Sequence, residues 1–173
     1  KEQAPASFVE ALKAVKYLAN ICLVLELNKS LSSTYWLNVN DPNFPFVGII
    51  EHTNFEPFSS YSGRHIVYLS KYMDEENPIF PMTDQELMDY SLPYLQKMFP
   101  EFSKEWILNF HVWKARFAQP VVECHYSKKL IPQFSEIKGL YIETMAQIYP
   151  EDRGTNYAVR QGRQMGLSLA KKL

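Results

Sequence analysis

The sequence predicts an α+β fold: a mixed, mostly antiparallel sheet with flanking helices and a long C-terminal helix. Three observations predict it. Apolar and alternating runs cluster between Ile21 and Tyr72, so strands come in a block instead of alternating one for one with helices. Two capping-box spellings, Ser7-Phe-Val-Glu10 and Thr83-Asp-Gln-Glu86, announce helices on either side of that block. After Gly154, small residues recur at Ala158, Gly162 and Gly166, a four-residue spacing that lines one helix face and lets a neighbour approach the backbone. No internal repeat, low-complexity tract or linker interrupts the chain, so residues 1–173 read as a single unit.

Each element carries its own signature. Phe8, Val9, Leu12 and Val15 follow Ser7 at helical spacing, which predicts a helix from Ser7 to Tyr17. Ile21 to Leu27 is a nearly continuous apolar run and reads as a strand buried on both faces. Tyr35 to Val39 is a short aromatic strand, followed by a turn at Asp41-Pro42-Asn43. Phe46 to Asn54 reads as a strand with Phe46, Gly48, Ile50, His52 and Asn54 on one face. A loop through Pro57, Ser59, Ser60 and Gly63 is long for a tight hairpin and reads as a rim or lid before the next strand, Arg64 to Tyr72.

The helix opened by Thr83 has an inner face of Leu87, Ser91, Tyr94, Leu95 and Met98; Pro93 kinks it and Pro100 ends it. Trp106 to Gln119 alternates as a long strand, with Ile107, Asn109, His111, Trp113 and Ala115 on one side, stopped by Pro120. The stretch from Gly139 to Tyr149 reads as an apolar strand. Pro150 closes it, Gly154 allows a tight turn, and Thr155 or Asn156 caps the final helix.

Composition narrows the function classes. With 173 residues, 46% hydrophobic and 21% charged, the chain suits one domain with a real core or a part of a larger enzyme. A net charge of -1 favours neither nucleic acid nor an anionic membrane surface. No apolar run approaches the roughly 20 residues of a membrane span. Cys22 and Cys124 make no disulfide framework, and two reduced thiols fit a cytoplasmic protein. Cys124 and His125 fall well short of a zinc ligand set, and no nucleophile elbow is present. The first methionine is Met73, after clear secondary-structure patterns, so Lys1 reads as a point inside a longer polypeptide.

The C-terminal stretch also resembles a known family. Gly139-Leu-Tyr-Ile142, the turn Tyr149-Pro-Glu-Asp-Arg-Gly-Thr-Asn156 and the helix spelling Ala158-Val-Arg-Gln-Gly-Arg163 are similar to the strand, turn and helix that close the flavin site of FAD-dependent amine oxidases and protoporphyrinogen oxidases. Trp113-Lys-Ala-Arg-Phe-Ala-Gln-Pro120 resembles the segment that precedes that strand. Many relatives carry Ala-Gly-Asp after the strand, where this chain has Glu143-Thr-Met145, so the role of that acidic group is not carried over. The resemblance implies that residues 139–173 complete an FAD site within the substrate-binding domain of a larger flavoprotein. The chain has no G-x-G-x-x-G fingerprint, so a separate dinucleotide-binding domain would hold the ADP half of the cofactor. The parent protein would transfer a hydride from a small-molecule substrate to flavin, and this part alone would be inactive.

Under that resemblance Tyr149, Glu151, Asp152, Arg153, Gly154, Thr155 and Asn156 are the cofactor-binding residues; otherwise the same turn is a salt-bridged surface loop. His52 and Asn54, at the end of an apolar strand, reach a substrate or the flavin edge, or else His52 is a core histidine satisfied by hydrogen bonds. In flavin oxidations the cofactor takes the hydride, so no acid or base is nominated. An apolar face left open for the absent domain would favour a homo-oligomer. The rival reading is a non-enzymatic module whose antiparallel sheet grips the C-terminal helix around a small ligand.

Overall fold

The computed structural model describes residues 4–133 and 137–171. It divides into two compact units. One is Leu18–Gln119; the other joins the chain up to Tyr17 with the chain from Pro120 onward. The elements run α1 (Ala6–Lys13), β1 (Tyr17–Leu27), β2 (Trp36–Asn38), β3 (Gly48–Glu51), β4 (His65–Met73), α2 (Asp84–Met98), β5 (Ile107–Pro120) and α3 (Thr155–Ala170). The fold is α+β, as the sequence predicts. Its five-stranded sheet has the order β2-β3-β4-β1-β5. Strand β4 pairs antiparallel with both β1 and β3, and β3 with β2.

One face of this sheet makes the core. Along β1 every second residue from Ala19 to Leu27 is buried, and its registered partners Val67, Leu69 and Met73 on β4 are buried too. The other face is half-buried, so β1 alternates, where the apolar run predicts burial on both sides. Helix α2 covers the core face with Leu87, Met88, Ser91 and Leu95. Its start follows the predicted capping box: the Glu86 N–H donates to Thr83 Oγ1 at 3.3 Å, and the Thr83 N–H donates to Glu86 Oε2 at 2.7 Å. Pro93 lies inside the helix without ending it.

Four local expectations are corrected. Helix α1 starts at Ala6 behind Pro5 with no side-chain cap, so Ser7 and Glu10 form no capping box. The strand expected to run to Asn54 stops at Glu51, and His52–Asn54 form a 3₁₀ turn. The reason is Glu51 itself: its buried carboxylate accepts from Ser30 Oγ at 2.6 Å, the Leu31 N–H at 3.1 Å and the Ser32 N–H at 2.9 Å. That clamp holds the 30–32 loop where a continuing strand would need the backbone straight.

On β5, Ile107 packs on the core with Phe110 and Val112, while His111 and Trp113 face away. The alternation slips because the Phe110 N–H bonds the Asn109 side-chain oxygen at 2.9 Å. Finally, the segment expected as a strand from Gly139 to Tyr149 holds a bridge at Tyr141 and a 3₁₀ turn at Met145–Gln147. Gln147 Nε2 donates to the Ile131 and Ile142 carbonyls at 3.1 and 3.0 Å, satisfying acceptors that a ladder would otherwise use.

Candidate functional site

The turn from Tyr149 to Asn156 lies in the unit that contains both chain ends. The Tyr149–Pro150 peptide is cis, and the Tyr149 ring packs 5.8 Å from that of Tyr126. Tyr126 is itself anchored, its hydroxyl donating to the Ala146 carbonyl at 2.7 Å. Glu151 Oε1 accepts from Arg160 Nη2 at 2.6 Å, and the Arg160 guanidinium lies 4.7 Å from the Tyr157 ring centre. The Arg160 hydrogen bond holds the Glu151 carboxyl below the usual carboxylate range. Asp152 Oδ1 accepts from the Arg153 N–H at 2.8 Å, and the Asp152 carbonyl from the Gly154 N–H at 3.0 Å.

Helix α3 then starts at Gly154, which caps it without a side-chain hydrogen bond. Neither Thr155 nor Asn156 is the cap; both are exposed residues of the first turn. A Cβ at Gly154 would lie 2.5 Å from Asn156 Oδ1, the tip of an exposed side chain that would have to turn aside. The first N–H groups of a helix have no partner within it, and among the described residues no side chain caps them.

Ala158 and Gly162 line an open groove of about 400 Å³ with Glu143, Thr144, Met145 and Gln161. Glu143 belongs to this groove, though the sequence nominates no role for it. Its Oε2 accepts from Gln133 Nε2 at 2.6 Å, while Oε1 is buried with no hydrogen-bond partner among the described residues. Burial pushes its carboxyl above the ordinary range, against the Gln133 hydrogen bond. Only its position just after Tyr141-Ile142 could have pointed to it. None of the described residues of α3 is buried, and ideal Cβ atoms at Gly162 and Gly166 would meet nothing within 4 Å. No contact among the described residues explains the small side chains on this helix.

His52 and Asn54 belong to the other unit, Leu18–Gln119. His52 Nε2 lies 2.6 Å from the Tyr61 hydroxyl, and its ring meets Tyr61 and Tyr68 edge-on. Asn54 Nδ2 donates to the Ser32 and Thr34 carbonyls at 2.8 and 3.1 Å, so it tethers a loop. Among the described residues, no group of three His, Cys, Asp or Glu is placed to hold a metal ion. No helix among them is long and apolar enough to cross a membrane.

The sequence matches no family model and no curated relative. Solved structures do match. A putative protoporphyrinogen oxidase from Exiguobacterium sp. 255-15 aligns over 99% of this chain and 38% of its own, with TM-score 0.71 and 11% identity. An oxidoreductase from Methanosarcina mazei aligns over 79% of this chain and 31% of its own, with TM-score 0.56 and 17% identity. A reduced UDP-galactopyranose mutase aligns over 69% and 26%, with TM-score 0.54 and 11% identity. The chain thus spans well under half the length of each of these structures. At such identities the likeness is one of fold: the chain bears a distant structural resemblance to protoporphyrinogen-oxidase-like oxidoreductases.

Proposed function

We propose that this chain is part of an FAD-dependent oxidoreductase resembling amine and protoporphyrinogen oxidases, which moves a hydride from a small-molecule substrate to flavin. Residues 139–173 complete the FAD site, and Leu18–Gln119 is the substrate-binding part. One observation carries the reading: α3 holds Gly162 and Gly166 without any packing among the described residues that requires them. Each helical glycine costs about 1 kcal/mol relative to alanine, so the bare stripe is accounted for by a surface that must approach the helix closely.

The residues present fit the cofactor. The uncapped N-terminus of α3 supplies N–H groups for a polar or anionic edge, with Tyr149, Glu151, Asp152, Arg153, Gly154, Thr155 and Asn156 forming the turn around it. Glu143 Oε1, buried and unpartnered, is an acceptor for a hydroxyl of the ribityl chain. FAD would supply the hydride acceptor; this chain's residues would bind it, fix its edge and exclude water. His52, oriented by Tyr61, and Asn54 stand on the substrate side. A dinucleotide-binding domain would cover α3, and without it the same face would favour self-association.

The test is the flavin absorbance of the protein made from the complete reading frame, alongside a Gly162→Leu variant. Oxidised-flavin bands near equimolar occupancy, lost in the variant while its circular dichroism is unchanged, are expected. Folded protein without flavin, before and after reconstitution, would overturn the reading in favour of the ligand-gripping module.

A further inference from the structure

The registers of β1 to β4 arrange the open face of the sheet into rows. Asn38 pairs with Gly48, Gly48 with Ser70, and Ser70 with Cys22, so one row crosses four strands on short side chains alone. On one side of it runs a tall row: Trp36, Ile50, Tyr68 and Val24. On the other side stands Tyr72, paired with Asn20. Strand β5 carries Trp113 and Phe117 on the face of His111, whose ring meets Glu26; they are 69% and 76% exposed. The result is a trough with aromatic walls.

Its floor has room. An ideal Cβ at Gly48 would meet nothing within 4 Å although the glycine itself is buried at the foot of the rows, and it has no left-handed backbone to explain it. Residues two apart on one face are separated by about 6.7 Å and strands by about 4.8 Å. The walls therefore stand roughly 13 Å apart at the backbone, and the trough runs about 14 Å across the four strands, the size of two or three fused rings.

Charge is absent from these rows. Burial pushes the Cys22 thiol and the Tyr68 phenol up, which keeps both neutral. The amides bordering the floor are already engaged: Asn20 Nδ2 donates to Ser70 Oγ at 3.0 Å, and Asn38 Oδ1 accepts from Trp36 Nε1 at 2.9 Å. Neighbouring cations are committed elsewhere, Lys71 to the Phe44 carbonyl and Arg116 to Glu75. Glu26, on the same face of β1, is paired with both Arg64 and His111. A charged ligand would lose its hydration without gaining a partner, whereas a flat apolar one gains aromatic contact.

We infer that this trough binds a flat, uncharged, mainly apolar molecule laid across the strands. Resting on the reading of Leu18–Gln119 as the substrate-binding part, this defines the substrate class.

The test titrates the 173-residue chain with neutral N-phenyl-1-naphthylamine and with its anionic analogue 8-anilinonaphthalene-1-sulfonate. The neutral probe is expected to bind roughly tenfold or more tighter, a difference of about 1.4 kcal/mol, and to quench tryptophan fluorescence. Gly48→Val fills the floor in open space with a residue that favours strands, and should weaken the neutral probe at least as much with the melting temperature unchanged. Cys22→Leu fills the same row from β1 and should do likewise. Equal affinity for the sulfonate, no binding of the neutral probe, or full binding by both folded variants would overturn the inference. The flavin reading fails separately: probe binding with these properties, beside a flavin-free complete protein, leaves a ligand trough without the oxidoreductase.

Discussion

Helices α2 and α3 are nearly the same length, 15 and 16 residues, yet they are built on opposite terms. Helix α2 has a full capping box, acidic residues in its first turn, Lys97 in its last, and four buried residues on the sheet. Helix α3 has no side-chain cap, no acid in its first turn, two interior glycines and no buried residue. Helices in proteins draw most of their stability from packing an apolar face. By that measure α2 is complete within this chain, while α3 buries no residue among those described.

The comparison breaks most directly at one leucine in each helix. Leu95 is fully buried in the core under α2, so Leu95→Ala should cost about 2–5 kcal/mol through lost transfer energy and the cavity left behind. Leu167 on α3 is exposed, and Leu167→Ala should stay within about 0.5 kcal/mol in this chain. Urea titration of both variants checks the pair. A large loss at Leu167 would mean α3 is packed after all.

The next effect concerns Glu51, whose buried carboxylate takes three donors from the 30–32 loop. Glu51→Gln replaces one acceptor oxygen by a donor against those donors, and should cost about 1–3 kcal/mol. Amide exchange should accelerate at Leu31 and Ser32 while the Leu95 amide stays protected. Uniform acceleration would show that the clamp is part of the global core.

Smaller effects come in a pair of opposite sign. Thr83→Ala removes the α2 cap and should destabilise by about 1 kcal/mol. Gly162→Ala improves α3's intrinsic propensity with no clash, and should be neutral or stabilising by up to about 1 kcal/mol. Thermal melts decide both, and a destabilising Gly162→Ala would mean that the helix already packs closely there.

What could be read in advance follows the range of the interactions involved. The Thr83 box is legible because cap and acceptor lie three residues apart, and the helical spacing of Ala158, Gly162 and Gly166 is equally local. The end of β3 is not legible, because Glu51 is clamped by residues some twenty positions earlier. The segment before Tyr149 misleads for the same reason: its apolar pattern suits a strand, but Gln147 satisfies carbonyls at Ile131 and Ile142. The trough is invisible in one dimension. Asn38, Gly48, Ser70 and Cys22 become neighbours only through three strand registers. The turn at Tyr149–Asn156 could be picked out as a unit, while Glu143 needed the fold to show its unpartnered oxygen.

The smallest effects are electrostatic, and two glutamates in the unit holding both chain ends should respond to pH in opposite directions. Glu123 is half-buried and bonded by Lys129 and Lys16 at 2.8 and 2.6 Å, which lowers its carboxyl from 4.5 to about 2. A lowered folded value gives stability that is present above the unfolded value and lost as pH falls from about 4.5 through about 2. Glu143 is raised by burial. Its favourable contribution is present below 4.5, where both states bind the proton, and is lost as pH rises through the folded value; above it, the folded state carries an ionised carboxylate with a buried, unpartnered oxygen. Glu123→Gln should therefore flatten the acid limb of the stability profile by lowering stability slightly at neutral pH and leaving it unchanged near pH 2, a small effect because solvent-accessible pairs contribute little. Glu143→Gln should raise stability at pH 7 relative to pH 4. Melting temperatures of the three proteins from about pH 2 to about pH 7 separate the two. A Glu143→Gln variant that is less stable at pH 7 would mean the carboxylate holds a partner in the folded chain, and that its open oxygen is not kept for a ligand.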